Sequence, residues 1–249
     1  GYSPERGFCG WWDFYAEQLM LYFLASASPT YPVAGELFYS FKRNITSSQK
    51  GEVFVNSWFG SIFTHQFSHA WFDLRDCHDR EGINWWDNSV AATLANRNYC
   101  IARSDRFKTF GKDSWGLTAC DGPHGYNGRY GSAPSALNND EHYIDGTIPP
   151  CGAAGSIVFT PEHSLEAMNN YYYKFPKLWG KYGFKDAYNI SVSPEWYGED
   201  FIGIDKGITL LMIENYRTGL VWELFMRNKY PRLGMEKCQL YKMAAESAS

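Results

Sequence analysis

The sequence predicts an all-α, or nearly all-α, domain whose functional loops gather at helix ends. Three observations carry that prediction. Several segments repeat apolar residues at helical spacing, no segment shows a convincing run of strand-like alternation, and long stretches rich in Gly, Pro, Ser and Asn join the helical patterns.

Residues 11–24 (WWDFYAEQLMLYFL) come first, as a predicted helix that is apolar all round except at Asp13 and Glu17. Spaced four apart, those carboxylates would sit one turn above each other. Like charges at that spacing repel, and ionised carboxylates are costly to desolvate beside aromatic rings. Such a face either borders a wet cleft or holds an acid with a raised pKa; an acidic stripe facing solvent is the plainer alternative. SPTYP at residues 28–32 ends the pattern. The polar stretch from Lys42 to Glu52 reads as an exposed loop. Residues 61–75 and 84–103 read as helices, with Asn84 able to cap the second. Residues 104–158 show little periodicity. Loops longer than about 15 residues are usually functional when ordered, and the Trp, Tyr and His content here argues against disorder. Thr160 as N-cap and Pro161 at the first helical position open a helix running to about Phe175. A final helix is expected from about Lys206 to Asn228.

Composition narrows the function classes. The 249 residues carry 23 basic and 27 acidic side chains, a net charge of −4, with no basic block to suggest a nucleic-acid partner. No apolar run reaches the roughly 18 residues that span a bilayer, and no charged-then-apolar leader layout is evident. With no internal repeat and no clear boundary, a single domain over residues 1–249 is expected. The six cysteines are scattered without a CxxC pair, against a zinc ribbon or dithiol redox site, while one or two disulfides stay open. Aromatic residues make up 18% of the chain. Those in SWGLTACDGPHGYNGRYG suit the apolar faces of sugar rings; core packing is the alternative for each. There is no GxSxG elbow, GxGxxG or P-loop, so serine hydrolysis and nucleotide chemistry lack support, and no cofactor is called for.

Several constellations remain. His65 and His69 have the spacing at which two imidazoles share a metal, but Gln66 stands where zinc proteases have Glu, and hydrogen-bonding histidines in a polar cleft are the favoured reading. Asp73, Arg75 and Asp76 read as a salt-bridge cluster. Asp121 and Asp145 each precede Gly, a common turn signal. Asp205 opens the last helix, where Asp is a preferred N-cap and would be held ionised. One carboxyl kept protonated opposite one kept ionised is the division of labour of a glycosidase.

Seven strings follow in order: WWDFYAEQLMLYFLASASPTYP, FTHQFSHAWFDLRD, WWDNSVAATLANRNYC, WGLTACDGPHGY, DGTIPPCGAAGS, LWGKYGFKDAYN and GIDKGITLLMIENYRTGLVWELFMRN. Together they resemble the glycoamylase-like family of bacterial proteins, which includes glycoside hydrolase family 144 endo-β-1,2-glucanases, with a related module in cyclic β-1,2-glucan synthases. The resemblance runs from about Trp11 to Asn228. It implies an α/α toroid of paired helices, with a polysaccharide or oligosaccharide lying across one end and neither metal nor cofactor required. It implies Glu17 as general acid and Asp205 as the partner that activates water, with Asp200 close by. Trp12, His65, Gln66, His69, Asp121, Tyr126 and Asp145 fall in blocks implied to line the cleft. A full toroid needs roughly 400 residues, so the chain is expected to match the C-terminal portion of one, either as a piece lacking an N-terminal half or partner chain or as a shortened member with an incomplete ring. The implied activity is hydrolysis of β-glucan, foremost β-1,2-linked, with transglycosylation or non-catalytic glucan binding or assembly as alternatives. Such a substrate places the protein in the periplasm or outside the cell.

Overall fold

The computed structural model describes residues 1–48, 50–133, 136 and 141–242. Among them the chain is helix-rich, with seven α-helices: α1 (Leu19–Ser26), α2 (Trp85–Ala102), α3 (Pro150–Ala154), α4 (Pro161–Lys174), α5 (Gly203–Arg217), α6 (Leu220–Arg227) and α7 (Lys229–Lys237). Strands are present but minor, pairing as two-stranded antiparallel ladders of two or three residues per strand. None of these helices is long and apolar enough to cross a membrane.

The longest helix, α2, organises the core. Asn84 caps it as expected, its side chain accepting from the amides of Trp86 and Asp87. Trp85 packs with Tyr15, Leu19, Phe23, Phe38 and Phe72. Ala92 and Ala95 pack with Phe54 and Ile62, and Tyr99 and Cys100 join Trp115, Tyr171 and Tyr188. Asn88, Ser89, Thr93 and Asn96 of this helix are also buried. Buried amides must find partners, and the two asparagines bind neighbouring segments: Asn88 Oδ1 accepts from the Val55 amide at 2.6 Å, and Asn96 Oδ1 from the Leu117 amide at 2.9 Å.

Helix α4 starts at Pro161 as expected, although the Thr160 side chain makes no capping bond. Other segments depart from their periodicity. Residues 11–18 are not helical: Lys42 N–H donates to the Asp13 carbonyl at 2.7 Å, and Phe14 and Tyr15 form bridges to Lys42 and Ser57. These tertiary contacts draw the segment into an extended path that buries Tyr15 and leaves Trp11 and Trp12 exposed. Asp13 and Glu17 therefore share no helix face. Residues 61–75 form two 3-10 turns, Ile62–His65 and Ser68–Ala70, instead of a helix. The stretch expected as an exposed loop from Lys42 to Glu52 contains Ile45–Ser47, paired with Val53–Val55. The expected final helix breaks at Gly219, whose φ of 72° is left-handed, giving α5 and α6. The long loop holds a hairpin, Cys120–Gly122 with Gly125–Asn127, and α3.

Helix α3 lies against the 114–117 segment at glycine distance: a Cβ on Gly152 would meet the Gly116 carbonyl oxygen at 1.9 Å. Gly152→Ala should cost about 3 kcal/mol through overpacking, against about 1 kcal/mol for losing the Asn84 cap in Asn84→Ala. Denaturant unfolding of both variants checks this ranking.

Candidate active site

Two adjoining depressions share Glu17, Ser61, Ala119 and Tyr126 in their linings. The larger, about 570 Å³, is walled by aromatics that include Trp11, Trp12, Trp58 and Tyr126. The smaller, about 370 Å³, has Asp186 and Asp205 in its lining together with Glu17. Glu17 thus stands where an aromatic shelf meets an acidic pocket.

Glu17 sits in the turn before α1. Ser68 Oγ donates to its carbonyl at 3.2 Å and accepts from the Met20 amide at 3.1 Å, bridging the helix start. Thr64 Oγ1 donates to its carboxylate at 3.3 Å. Asp13 borders the larger depression but is ion-paired with Lys42 at 2.9 Å.

Asp205 is buried in the first turn of α5 and is not the N-cap, a position held by Ile202. The expected lowering of its pKa is overturned. Burial, followed by the neighbouring Asp186 carboxyl, pushes Asp205 up to about 7. The two carboxyls lie within hydrogen-bonding reach of each other, and the Cys151 thiol reaches Asp205 from α3. Burial raises the Cys151 thiol well above its ordinary range, so it stays neutral. The raised acid anticipated near Glu17 is therefore found in Asp205.

Of the other anticipated residues, Trp12 and Tyr126 do line the larger depression, both about 71% exposed. Asp121 pairs across the hairpin with Tyr126, and its amide donates to Asp186 Oδ2 at 2.7 Å. Asp145 is in a structural turn, accepting from Tyr130 OH at 2.7 Å and the Thr147 amide at 2.9 Å.

His65, Gln66 and His69 are fully buried and do not line the cleft. Gln66 Nε2 donates to the Gly152 carbonyl at 2.7 Å and to Ser156 Oγ at 2.8 Å. His65 lies 3.5 Å from Asn88 Nδ2, and His69 Nε2 lies 2.9 Å from Ser89 Oγ. Burial lowers both histidines to about 3, so they are neutral. Among the described residues no cluster of three or more His, Cys, Asp or Glu side chains is placed to hold a metal. No disulfide joins any of the six cysteines among the described residues. Arg75 pairs with Asp73 at 2.7 Å, as a bracing salt bridge would.

Asp186 escaped the sequence reading. It lies in the quoted FKDAYN string, but nothing local ties it to Asp205; the fold alone brings them together.

The glycoamylase family model, described as "Putative glucoamylase", matches residues 11–229. The chain belongs to this family. The glycoamylase relatives include the exo beta-1,2-glucooligosaccharide sophorohydrolase (non-reducing end) of Parabacteroides distasonis, 30% identical over 91% of this chain and 33% of that protein. The endo-beta-1,2-glucanase of Chitinophaga pinensis, solved with sophorotriose and glucose, superposes with a TM-score of 0.82 at 30% identity, over 96% of this chain and 58% of that one. A beta-1,2-glucanase from Parabacteroides distasonis gives 0.81 at 30% identity, over 96% of this chain and 36% of that one. The chain thus spans about a third of the curated relative and under two thirds of these solved structures.

The site's electrostatics set opposite pH dependences. Asp205 titrates higher folded than its ordinary 3.8, so its contribution to stability is fully present below about pH 4 and lost as pH rises through about 7. Asp205→Asn should therefore raise the melting temperature by about 2–4 °C at pH 8 and by less at pH 5; an equal shift at both pH values would refute the assignment. His65 and His69 titrate lower folded than their ordinary 6.5. Their contribution is present above that value and lost as pH falls towards about 3. Unfolding free energy should accordingly fall on acidification below about pH 6.5, and His69→Gln should flatten that fall in denaturant titrations across pH.

Proposed function

We propose that this chain forms the acid-bearing wall of a β-1,2-glucan hydrolase built as an α/α toroid. The observation that carries the reading is the placement of Glu17 and Asp205, far apart in sequence, in the lining of one depression beside an aromatic shelf. Carboxylic acids flanking a groove that offers flat rings suit glycoside hydrolysis. The β-1,2 linkage is supported by the substrates named for the sophorohydrolase and the two glucanases. Coverage of 58% of the Chitinophaga enzyme supports a partial ring, whose remaining wall comes from further chain or from a partner. A periplasmic or extracellular location follows from a glucan substrate.

In the main reading, Glu17 gives its proton to the glycosidic oxygen as the anomeric C–O bond breaks. Asp205, ionised, takes a proton from a water whose oxygen bonds to the anomeric carbon. The raised Asp205 carboxyl favours a second reading with the roles exchanged: Asp205 donates the proton and Glu17 is the base. The pH profile separates the two, because kcat/KM rises through about pH 7 if Asp205 is the base and falls through it if Asp205 is the acid.

Incubation with a panel of α- and β-glucans, followed by product sizing, tests the activity. Shortened β-1,2-glucan is the expected product, whereas longer or cyclic products would indicate transglycosylation and binding without turnover a non-catalytic domain. Glu17→Gln should lower turnover about 100- to 10,000-fold with an unchanged circular dichroism spectrum; retention of most activity would remove Glu17 from the mechanism.

A further inference from the structure

Asp186 is a buried acid whose surroundings are unlike those of a structural carboxylate. Its backbone is locked from both sides. The Asp186 amide donates to the Asp200 carbonyl at 2.9 Å, and Tyr188, further along the same segment, exchanges backbone hydrogen bonds with Ile148 at 3.0 Å. One carboxylate oxygen, Oδ2, accepts the Asp121 amide at 2.7 Å. The other, Oδ1, is buried and meets no amide or hydroxyl donor among the described residues. The Asp205 carboxyl neighbours Asp186 in the lining of the same depression.

We propose that Asp186 is a positioning residue that accepts a hydrogen bond from protonated Asp205, orienting that carboxyl and setting the pH at which it gives up its proton. The inference rests on the reading of Asp205 as one of the two reacting acids. Two carboxyls that share a buried site cannot both ionise without repulsion, so one proton is held between them. The charged and titratable groups around the pair are Asp121 and Cys120 from one hairpin strand, Tyr126 from the other, Cys151 from α3 and Lys206 from α5. Lys206 is the cation of this set and opposes the upward shift; Asp121 adds to it on the Asp186 side. Glu17 completes the lining.

Asp186→Asn isolates the effect. The side-chain oxygen can still accept the Asp121 amide, while the negative charge facing Asp205 is removed. Asp205 should then lose its proton at a pH lower by at least about one unit, a tenfold weaker proton affinity. Two readouts follow it. Carboxyl carbon NMR of the chain labelled at aspartate, with the Asp205 signal assigned through Asp205→Asn, reads the titration without any substrate. In glucan hydrolysis, the limb of the kcat/KM profile near neutrality should move to lower pH by the same amount. Asp186→Glu, which retains the charge, should keep that limb closer to its original position. An unmoved or upward-moving Asp205 titration in Asp186→Asn would overturn the proposal even if activity fell, since a purely structural loss lowers turnover without displacing the limb. If no variant or parent hydrolyses glucan, the hydrolase reading fails, and the NMR titration still decides the role of Asp186.

Discussion

Residues 64–69, THQFSH, are the constraint on which the rest of the structure depends. Five of the six are polar, and they tie different elements to one short stretch. Thr64 reaches the Glu17 carboxylate, His65 faces Asn88 of α2, Gln66 holds α3, Ser68 bridges the start of α1, and His69 meets Ser89 of α2. An amphipathic α-helix would collect residues three and four apart on one face. The two 3-10 turns keep His65 and His69 towards α2 while Thr64, Gln66 and Ser68 reach other elements. Helices α5 and α6 are tied to this stretch and the residue after it, because Asn215 Nδ2 of α5 donates to the Ala70 carbonyl at 2.9 Å and Trp222 Nε1 of α6 to the His69 carbonyl at 2.6 Å. Glu17 and the helix that carries Asp205 are thus both referenced to one buried brace.

That brace is neutral, and its neutrality matters. A buried imidazolium at position 65 or 69 would be costly without a partner, and burial keeps both rings uncharged. Negative charge is concentrated beyond the brace, at Asp186 and Asp205, where burial and mutual repulsion favour retention of a proton. Fold and site therefore pull stability in opposite directions with pH. The histidines favour the folded state as pH rises, while the acid pair weighs against it. Holding two acids together costs stability, and the hydrogen bonds and packing elsewhere offset that cost.

What was legible in the sequence was mostly local. The Asn84 cap and the Thr160-Pro161 start mark α2 and α4 because capping and proline geometry act over a few residues. The roles of Glu17 and Asp205 came from resemblance, and the fold places both in one depression. The failures share a cause. Residues 11–18 have helical periodicity but are held extended by Lys42 and Ser57, and the 206–228 pattern does not register a left-handed Gly219. His65, Gln66 and His69 looked like cleft residues because polar side chains near aromatics read alike whether they face a sugar or another helix. The Asp186–Asp205 pair was invisible because the proximity of a loop and a helix start is a tertiary fact.

The three acids are held by different local contacts. Ser68 and Thr64 fix Glu17, the Asp121 amide fixes Asp186, and the first turn of α5 carries Asp205. The aromatic shelf is built differently. Trp11 and Trp12 are 86% and 71% exposed on an extended segment, and Tyr126 projects from a hairpin. Substrate grip depends on such exposed faces meeting a ring, whereas proton transfer depends on where the carboxyls stand. In the proposed hydrolase the shelf therefore bears on how firmly a sugar ring is held, while the segments that fix the three carboxyls bear on proton transfer.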